Sequence, residues 1–191
     1  MTPVQPVQRD TSAEQTGRQA PAGIWTAEHL AQRLGEINCS STAIICIGNE
    51  LRGDDGAGPA VARALLHARR WYVYDAGLAP ESFVMKIATT KPDLVVVVDT
   101  LDFGAEAGAV ELIEPEDLRG GGPSTHGPAP TVFLQAVRML HRCHCVVLGI
   151  QPERTEFGRG LSTPVSAAVQ RIVEAFDILA PEPHSRGPTT A

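Results

Sequence analysis

The sequence is poor in aromatic residues: Phe, Trp and Tyr together make up 5% of it. Proteins that grip single-stranded nucleic acid stack bases on such rings, and this chain has few to offer. It is also short of positive charge. Sixteen Lys and Arg stand against 22 Asp and Glu, a net charge of −6, so no basic field exists to draw in a phosphate backbone. Long apolar runs are missing. The most uniform one, residues 94–98, falls far below the roughly 20 residues that cross a bilayer. The N-terminus lacks the charged patch and apolar centre of a secretory signal, so a cytoplasmic protein without nucleic-acid or membrane partners is expected.

Cysteine is scarce, with Cys39, Cys46, Cys143 and Cys145 only. A reducing compartment leaves such thiols unpaired. Cys46 and Cys145 lie inside apolar runs and read as core residues. The run His141-Arg142-Cys143-His144-Cys145 is rich in metal-ligating types, yet no second Cys/His cluster follows at zinc-site spacing. At the start of a strand, successive side chains alternate between faces and cannot all converge, so this run reads as structural. Several catalytic signatures are absent. There is no G-x-S-x-G elbow, no H-E-x-x-H and no G-x-x-x-x-G-K-[ST] phosphate loop. The glycine-rich loop near residue 50 lacks G-x-G-x-x-G spacing, and its adjacent aspartates would repel a pyrophosphate.

What remains is an ordinary soluble composition, 43% hydrophobic and 20% charged, over 191 residues, which suits one domain with extensions. Residues 1–23 are rich in Pro, Gln, Thr and Ser and read as a disordered arm; residues 181–191 read as a disordered tail. Residues 24–40 suggest a short helix, with Leu30, Leu34 and Ile37 on one face, and a linker. The domain is expected over 41–180. Strands are predicted at 43–47, 71–74, 94–98, 109–113 and 145–150, and helices at 59–70, 79–89 and 130–142. A last helix follows Ser162 or Thr163 as cap, with Pro164 in its first turn and a stripe of Val165, Val169, Ile172, Val173, Phe176 and Leu179. The β-branched run 94–98 suits a strand covered on both faces. Strand and helix alternate, so the fold class is α/β: a mostly parallel, twisted five-stranded sheet with helices on both faces.

In such sheets ligands bind beyond the carboxyl ends of the strands. Those ends collect polar residues. The first gives Gly48-Asn49-Glu50-Leu51-Arg52-Gly53-Asp54-Asp55-Gly56-Ala57-Gly58, the second Asp75-Ala76-Gly77, the third Asp99 and the fifth Gly149-Ile150-Gln151-Pro152. Ser124-Thr125-His126 lies between the fourth strand and its helix. Asp55, Asp99 and His126 offer two carboxylates and an imidazole, a set that holds a divalent ion with positions left open. The spacing equally fits an Asp99 that caps a turn, a His126 that steadies a loop, and glycines at 48, 53, 56 and 58 that serve only tight turns.

These segments resemble the [NiFe]-hydrogenase maturation endopeptidases. The opening motif of that family looks like Gly48-Asn49-x-Leu51-x-Gly53-Asp54-Asp55-Gly56-x-Gly58. Asp75 to Glu81, Val96 to Thr100, Ser124-Thr125-His126, Leu148 to Pro152 and Gly160 to Val165 follow in the family's order, so the similarity is collinear over about 43–180. Ala79-Pro80-Glu81 and an Asp at position 55 look like the branch that processes formate-hydrogenlyase-type hydrogenase. Gly127, after the histidine, departs from the polar residue of many relatives.

The resemblance implies a phosphorylase/hydrolase-like sheet. It also implies an endopeptidase that removes a C-terminal extension from a hydrogenase large-subunit precursor after nickel insertion. Asp55, Asp99 and His126 match the positions that contact the substrate's nickel, with Asn49, Gly53, Asp54, Gly56, Gly58 and Gln151 as support for the substrate loop. No metal or other cofactor is expected to be permanently bound, and a monomer is expected. Asn49 and nearby backbone N–H groups are candidate oxyanion donors. Two rivals stand beside this expectation: a nickel-dependent checkpoint chaperone that binds the precursor without cutting it, and a small-molecule metallohydrolase.

Overall fold

The computed structural model describes residues 23–66, 71–118 and 130–180. Five strands occur: β1 (Thr42–Ile47), β2 (Tyr72–Gly77), β3 (Leu94–Thr100), β4 (Val110–Ile113) and β5 (His144–Ile150). Five α-helices accompany them: α1 (Ala27–Gly35), α2 (Ala57–Leu66), α3 (Val84–Thr90), α4 (Pro130–Leu140) and α5 (Thr163–Leu179). The strands lie in the order β2-β1-β3-β5-β4. All neighbours are parallel except β4, which runs antiparallel to β5 at one edge. The chain between β3 and β4 holds no helix, and a parallel connection needs a crossover of a dozen residues or more, so β4 turns back at the edge.

Side-chain alternation along the central strands feeds two cores. Ile44, Cys46, Val96, Val98, Val146 and Leu148 face α1, α2 and α5. Ala43, Ile45, Val95, Val97, Cys145 and Val147 face α3 and α4. Every residue of β3 is buried, as a strand with helices on both faces requires. Among the described residues no helix is long and apolar enough to cross a membrane.

The structure moves several expected boundaries. The domain begins before residue 41. Trp25, Leu30 and Leu34 sit in the first core, α1 packs against α5, and Gly23 bridges to Val110 on β4. Trp25 and Ala31 widen the buried face beyond the Leu30–Leu34 stripe, so residues 24–40 belong to the domain instead of linking to it. The helix expected over 79–89 opens as a 3-10 turn, Pro80–Phe83, before α3 proper. The helix expected from residue 59 starts at Ala57, directly after the 3-10 turn Gly53–Gly56. That early start presses Gly58 against β1: any Cβ there would overlap the Ile47 carbonyl. Asp75 lies within β2 and is exposed. The arm up to residue 22 and the tail 181–191 lie outside the described residues, and so does His126.

Leu30 is 1% exposed in the core that includes Phe176. Leu30→Ala should cost about 3 kcal/mol in denaturant unfolding, the usual range for emptying a packed leucine site. A change near zero would show that α1 does not contribute to the core.

Candidate functional site

β1 and β3 are neighbours, but the chain leaves them toward opposite sides of the sheet, β1 to β2 and β3 toward β5. The crevice beyond their carboxyl ends is therefore the switch point where α/β sheets bind ligands. Asp55 follows β1 and Asp99 is the last residue but one of β3, so both candidate carboxylates belong to this crevice.

The turn after β1 is folded by its own polar groups. Gly48 has φ 142°, and a Cβ there would overlap the Asp55 carbonyl. The Asn49 N–H donates to both the main-chain oxygen and Oδ2 of Asp55, each at 3.0 Å. Asn49 Oδ1 accepts from the Leu51 N–H at 2.9 Å. The backbone N–H and the side-chain oxygen of Asn49 are thus both engaged within the turn.

Asp54 and Asp55 are both fully buried, yet they serve different segments. Asp54 Oδ2 accepts from the N–H groups of Glu153 (2.8 Å) and Arg154 (2.9 Å) and from Ser162 Oγ (2.9 Å). Asp54 Oδ1 accepts from the Ser162 N–H at 2.5 Å. Its main chain adds two further ties: its N–H donates to Arg154 O (2.9 Å) and its carbonyl accepts from Thr100 Oγ1 (3.0 Å). Gly53 N–H donates to Arg159 O and Gly158 N–H to Leu51 O. The β1–α2 turn and the loop before α5 are knitted into one body. Ser162 occupies the N-cap position of α5, but its hydroxyl caps no helix N–H. The expectation that it serves only as a helix cap is corrected: it is a partner of Asp54.

Asp99 is 3% exposed and Oδ1 accepts the Thr100 N–H at 2.7 Å. Burial raises its pKa from 3.8 to about 7; the Thr100 N–H opposes this, and the negative charge of Asp55 adds to it. The two candidate carboxylates are thus close enough to repel. Gln151, also buried, fixes the loop beyond β3. Its Oε1 accepts from Phe103 N–H (2.9 Å) and Ala105 N–H (3.2 Å), and its Nε2 donates to Asp102 Oδ1 (3.0 Å).

The structure therefore sets Asp55 within electrostatic reach of Asp99, with Asn49, Gly53, Asp54 and Gly56 in the turn that carries Asp55 and Gln151 on the loop that follows Asp99. His126 lies outside the described residues, and among those residues no group of three or more His, Cys, Asp or Glu is placed to hold a metal. Sequence reasoning missed Thr100 and Ser162 as partners of Asp54. The signal available was a buried-type Asp with no nearby cation, which needs hydrogen-bond donors from somewhere else in the chain.

Two outcomes follow from this geometry. Asp54→Asn places an amide among four donors and should lower stability by about 3 kcal/mol, measured by urea unfolding, because buried N–H groups lose an anionic acceptor. Asp99 holds its proton more tightly when folded than when unfolded. Its contribution is most favourable below pH 3.8 and is lost as pH rises to about 7. Asp99→Asn removes that cost, so its melting temperature should exceed that of the wild type at pH 8 by about 5 °C more than it does at pH 5. A pH-independent difference would contradict the buried ionisation.

The family described as hydrogenase maturation protease (HycI) matches residues 59–177. The chain is 30% identical over 136 residues to the hydrogenase 3 maturation protease of Escherichia coli K12, covering 70% of this chain and 87% of that protein. A crystal structure of the [NiFe] hydrogenase maturation protease HycI from Thermococcus kodakarensis superposes with a TM-score of 0.71 at 33% identity, covering 77% of this chain and 98% of that one. The solution structure of the endopeptidase HycI from E. coli gives 0.65 at 28% identity, covering 72% and 92%. With a five-stranded α/β sheet, a family match over most of the chain and relatives of this identity, the chain belongs to the hydrogenase maturation protease family and is an endopeptidase.

Proposed function

We propose that this endopeptidase removes the C-terminal extension of a [NiFe]-hydrogenase large-subunit precursor once nickel has been inserted. The observation that carries the reading is the pair of buried, mutually repelling carboxylates, Asp55 and Asp99, at the switch point of a chain of this family. Two anions confined together lower their energy when a divalent cation lies between them. In this reading the cation is the nickel of the substrate. Asp55 and Asp99 supply oxygen ligands and His126 an imidazole nitrogen, a mixed set that suits a divalent ion of intermediate hardness. Both carboxylates are closed to solvent, so an ion carried by another protein reaches them only after the covering residues give way.

The nickel supplies Lewis acidity toward the scissile carbonyl or an attacking water. Asp99, with a pKa near 7, is suited to take a proton from that water. Gln151, Asn49 and Asp54 do not enter the chemistry in this scheme. They hold the loops that carry Asp55 and follow Asp99.

Cleavage of a nickel-loaded precursor, followed by the mass of the released peptide, tests the reading. The wild type should process loaded precursor and ignore the nickel-free form. Asp55→Asn, Asp99→Asn and His126→Ala should each lose processing by about a hundredfold or more, since each removes a ligand or a proton acceptor. Met139→Ala, at a site 87% exposed on α4, should retain it. Full cleavage by Asp99→Asn and His126→Ala would place the chemistry elsewhere, and tight binding without cleavage would make the protein a checkpoint. The isolated chain should also purify without an equivalent of metal, because two carboxylates and one imidazole form an open site. A full equivalent of zinc in elemental analysis after dialysis would overturn that expectation.

A further inference from the structure

At the edge of the sheet opposite Asp55 and Asp99, the chain enters β5 through Cys143 and Cys145. Residues two apart in extended chain share a face, and here the two Sγ atoms lie 3.7 Å apart. Cys145 is fully buried beside Phe133, Leu134 and Val137, whereas Cys143 is partly exposed. The two histidines of this run stay away from the sulfurs. His144 approaches Glu114 at 3.4 Å, and His141 Nε2 lies 3.0 Å from Pro92 O. The charged neighbour on this face is Arg138 of α4, which also pairs with Glu116. The Cys145 hydrogen bond holds the Cys143 thiol below its ordinary pKa, against the effect of burial, and the Arg138 charge helps. Cys145 is pushed up by the same hydrogen bond and by burial.

We propose that Cys143 and Cys145 form a peroxide-reactive dithiol, in which Cys143 is oxidised first and Cys145 resolves it to an intramolecular disulfide. A partly exposed thiol near a cation, with a second sulfur in reach, is the environment in which cysteines react with hydroperoxides. The Cys143 thiolate attacks one peroxide oxygen and the O–O bond breaks. The sulfur gives up two electrons and becomes a sulfenic acid, and the other oxygen takes a proton and leaves as water from hydrogen peroxide or as alcohol from an organic hydroperoxide. The Cys145 sulfur then attacks Cys143, its proton leaves with the displaced hydroxide as water, and the S–S bond forms. Closing the bond brings the sulfurs from 3.7 Å to about 2.05 Å. Cys145 is fixed opposite Val95 in the β3–β5 ladder, but Cys143 precedes the first paired residue, His144, and can make that move without breaking the ladder.

The other cysteines serve as internal controls. Cys46 is fully buried and its thiol is pushed up, mainly by desolvation. Cys39 is partly exposed like Cys143, but its nearest polar partner is Thr42 Oγ1 at 3.4 Å instead of a second sulfur. The fully reduced chain is treated with dilute hydrogen peroxide, quenched with iodoacetamide and mapped by mass spectrometry. The expected product is a peptide about 2 Da lighter that links Cys143 to Cys145, formed about tenfold faster than any change at Cys39. In Cys145→Ser the reaction should stop at a Cys143 sulfenic acid captured by dimedone. Arg138→Gln should slow the loss of Cys143 several-fold. The proposal fails if the wild type oxidises Cys39 as fast as Cys143, joins two chains through Cys143, or accumulates sulfinic acid at Cys143 without the disulfide. The wild-type map alone decides the matter if Cys145→Ser does not fold, and it does so independently of any cleavage assay.

Discussion

The carboxylate of Asp54 is the fixed point on which the candidate site depends. It carries no accessible surface, and four uncharged donors surround it: the N–H groups of Glu153, Arg154 and Ser162, and the Ser162 hydroxyl. A buried anion is tolerated only when its lone pairs are filled in this way. The donors come from a loop about a hundred residues downstream, so the interaction cannot form until the sheet has brought β1 and β5 into register on either side of β3. Once formed, it sets the geometry of the next residue. In a 3-10 turn adjacent side chains diverge by roughly a third of a revolution. Asp54 turned toward the α5 loop leaves Asp55 to face the end of β3.

Asp99 stands in the reverse situation. Asp99 has one short bond from its neighbour's N–H, and it sits at the end of a strand whose every residue is buried. The valines that make β3 a good central strand also deprive its last carboxylate of water. The resulting rise in pKa, sharpened by Asp55, is a cost that the fold does not need. A neutral side chain would fit the same place at lower energy. Such local conflict, in a sheet otherwise consistent from residue pattern to packing, is where function is expected to reside. Contrast with Asp54 makes the point: both aspartates are buried, but Asp54 is filled with donors and Asp99 is set in a dry strand beside a like charge.

Much of this was legible in the sequence because it depends on local periods. The uniform run at 94–98, the alternation of strand and helix, and the polar strand ends gave the sheet and its crevice. Directly adjacent chemistry was legible too, since Asp99 had to lie at the carboxyl end of β3. What escaped was long-range and directional. α1 joined the core because Trp25 and Ala31 widened a face that the Leu30–Leu34 stripe alone left narrow. Ser162 looked like a cap because its spacing before α5 is that of a cap; only the fold brings Asp54 to its hydroxyl. The N–H of Asn49 looked available because nothing in the sequence says that the turn closes on Asp55. The 141–145 run was read from strand period alone, which correctly separates His144 from the cysteines and equally requires that Cys143 and Cys145 share a face.

Burial also bears on what kind of ion the proposed reading admits. A free divalent ion in water keeps a tightly held hydration shell, and a closed pair of carboxylates cannot replace it until the ion has been stripped. An ion already held by ligands of another protein has lost most of its water before it arrives. Two oxygens and an imidazole then have only to complete a coordination shell, not to build one. The same closure weakens the site toward adventitious metal, because Asp99, its pKa raised to about 7, must give up its proton before it binds an ion. An incomplete, buried, partly protonated site therefore discriminates by a physical route: it favours a cation delivered with its own ligands over the same cation in solution. In that scheme the Asp54 clamp keeps the two carboxylates from separating to relieve their repulsion, and so preserves the discrimination.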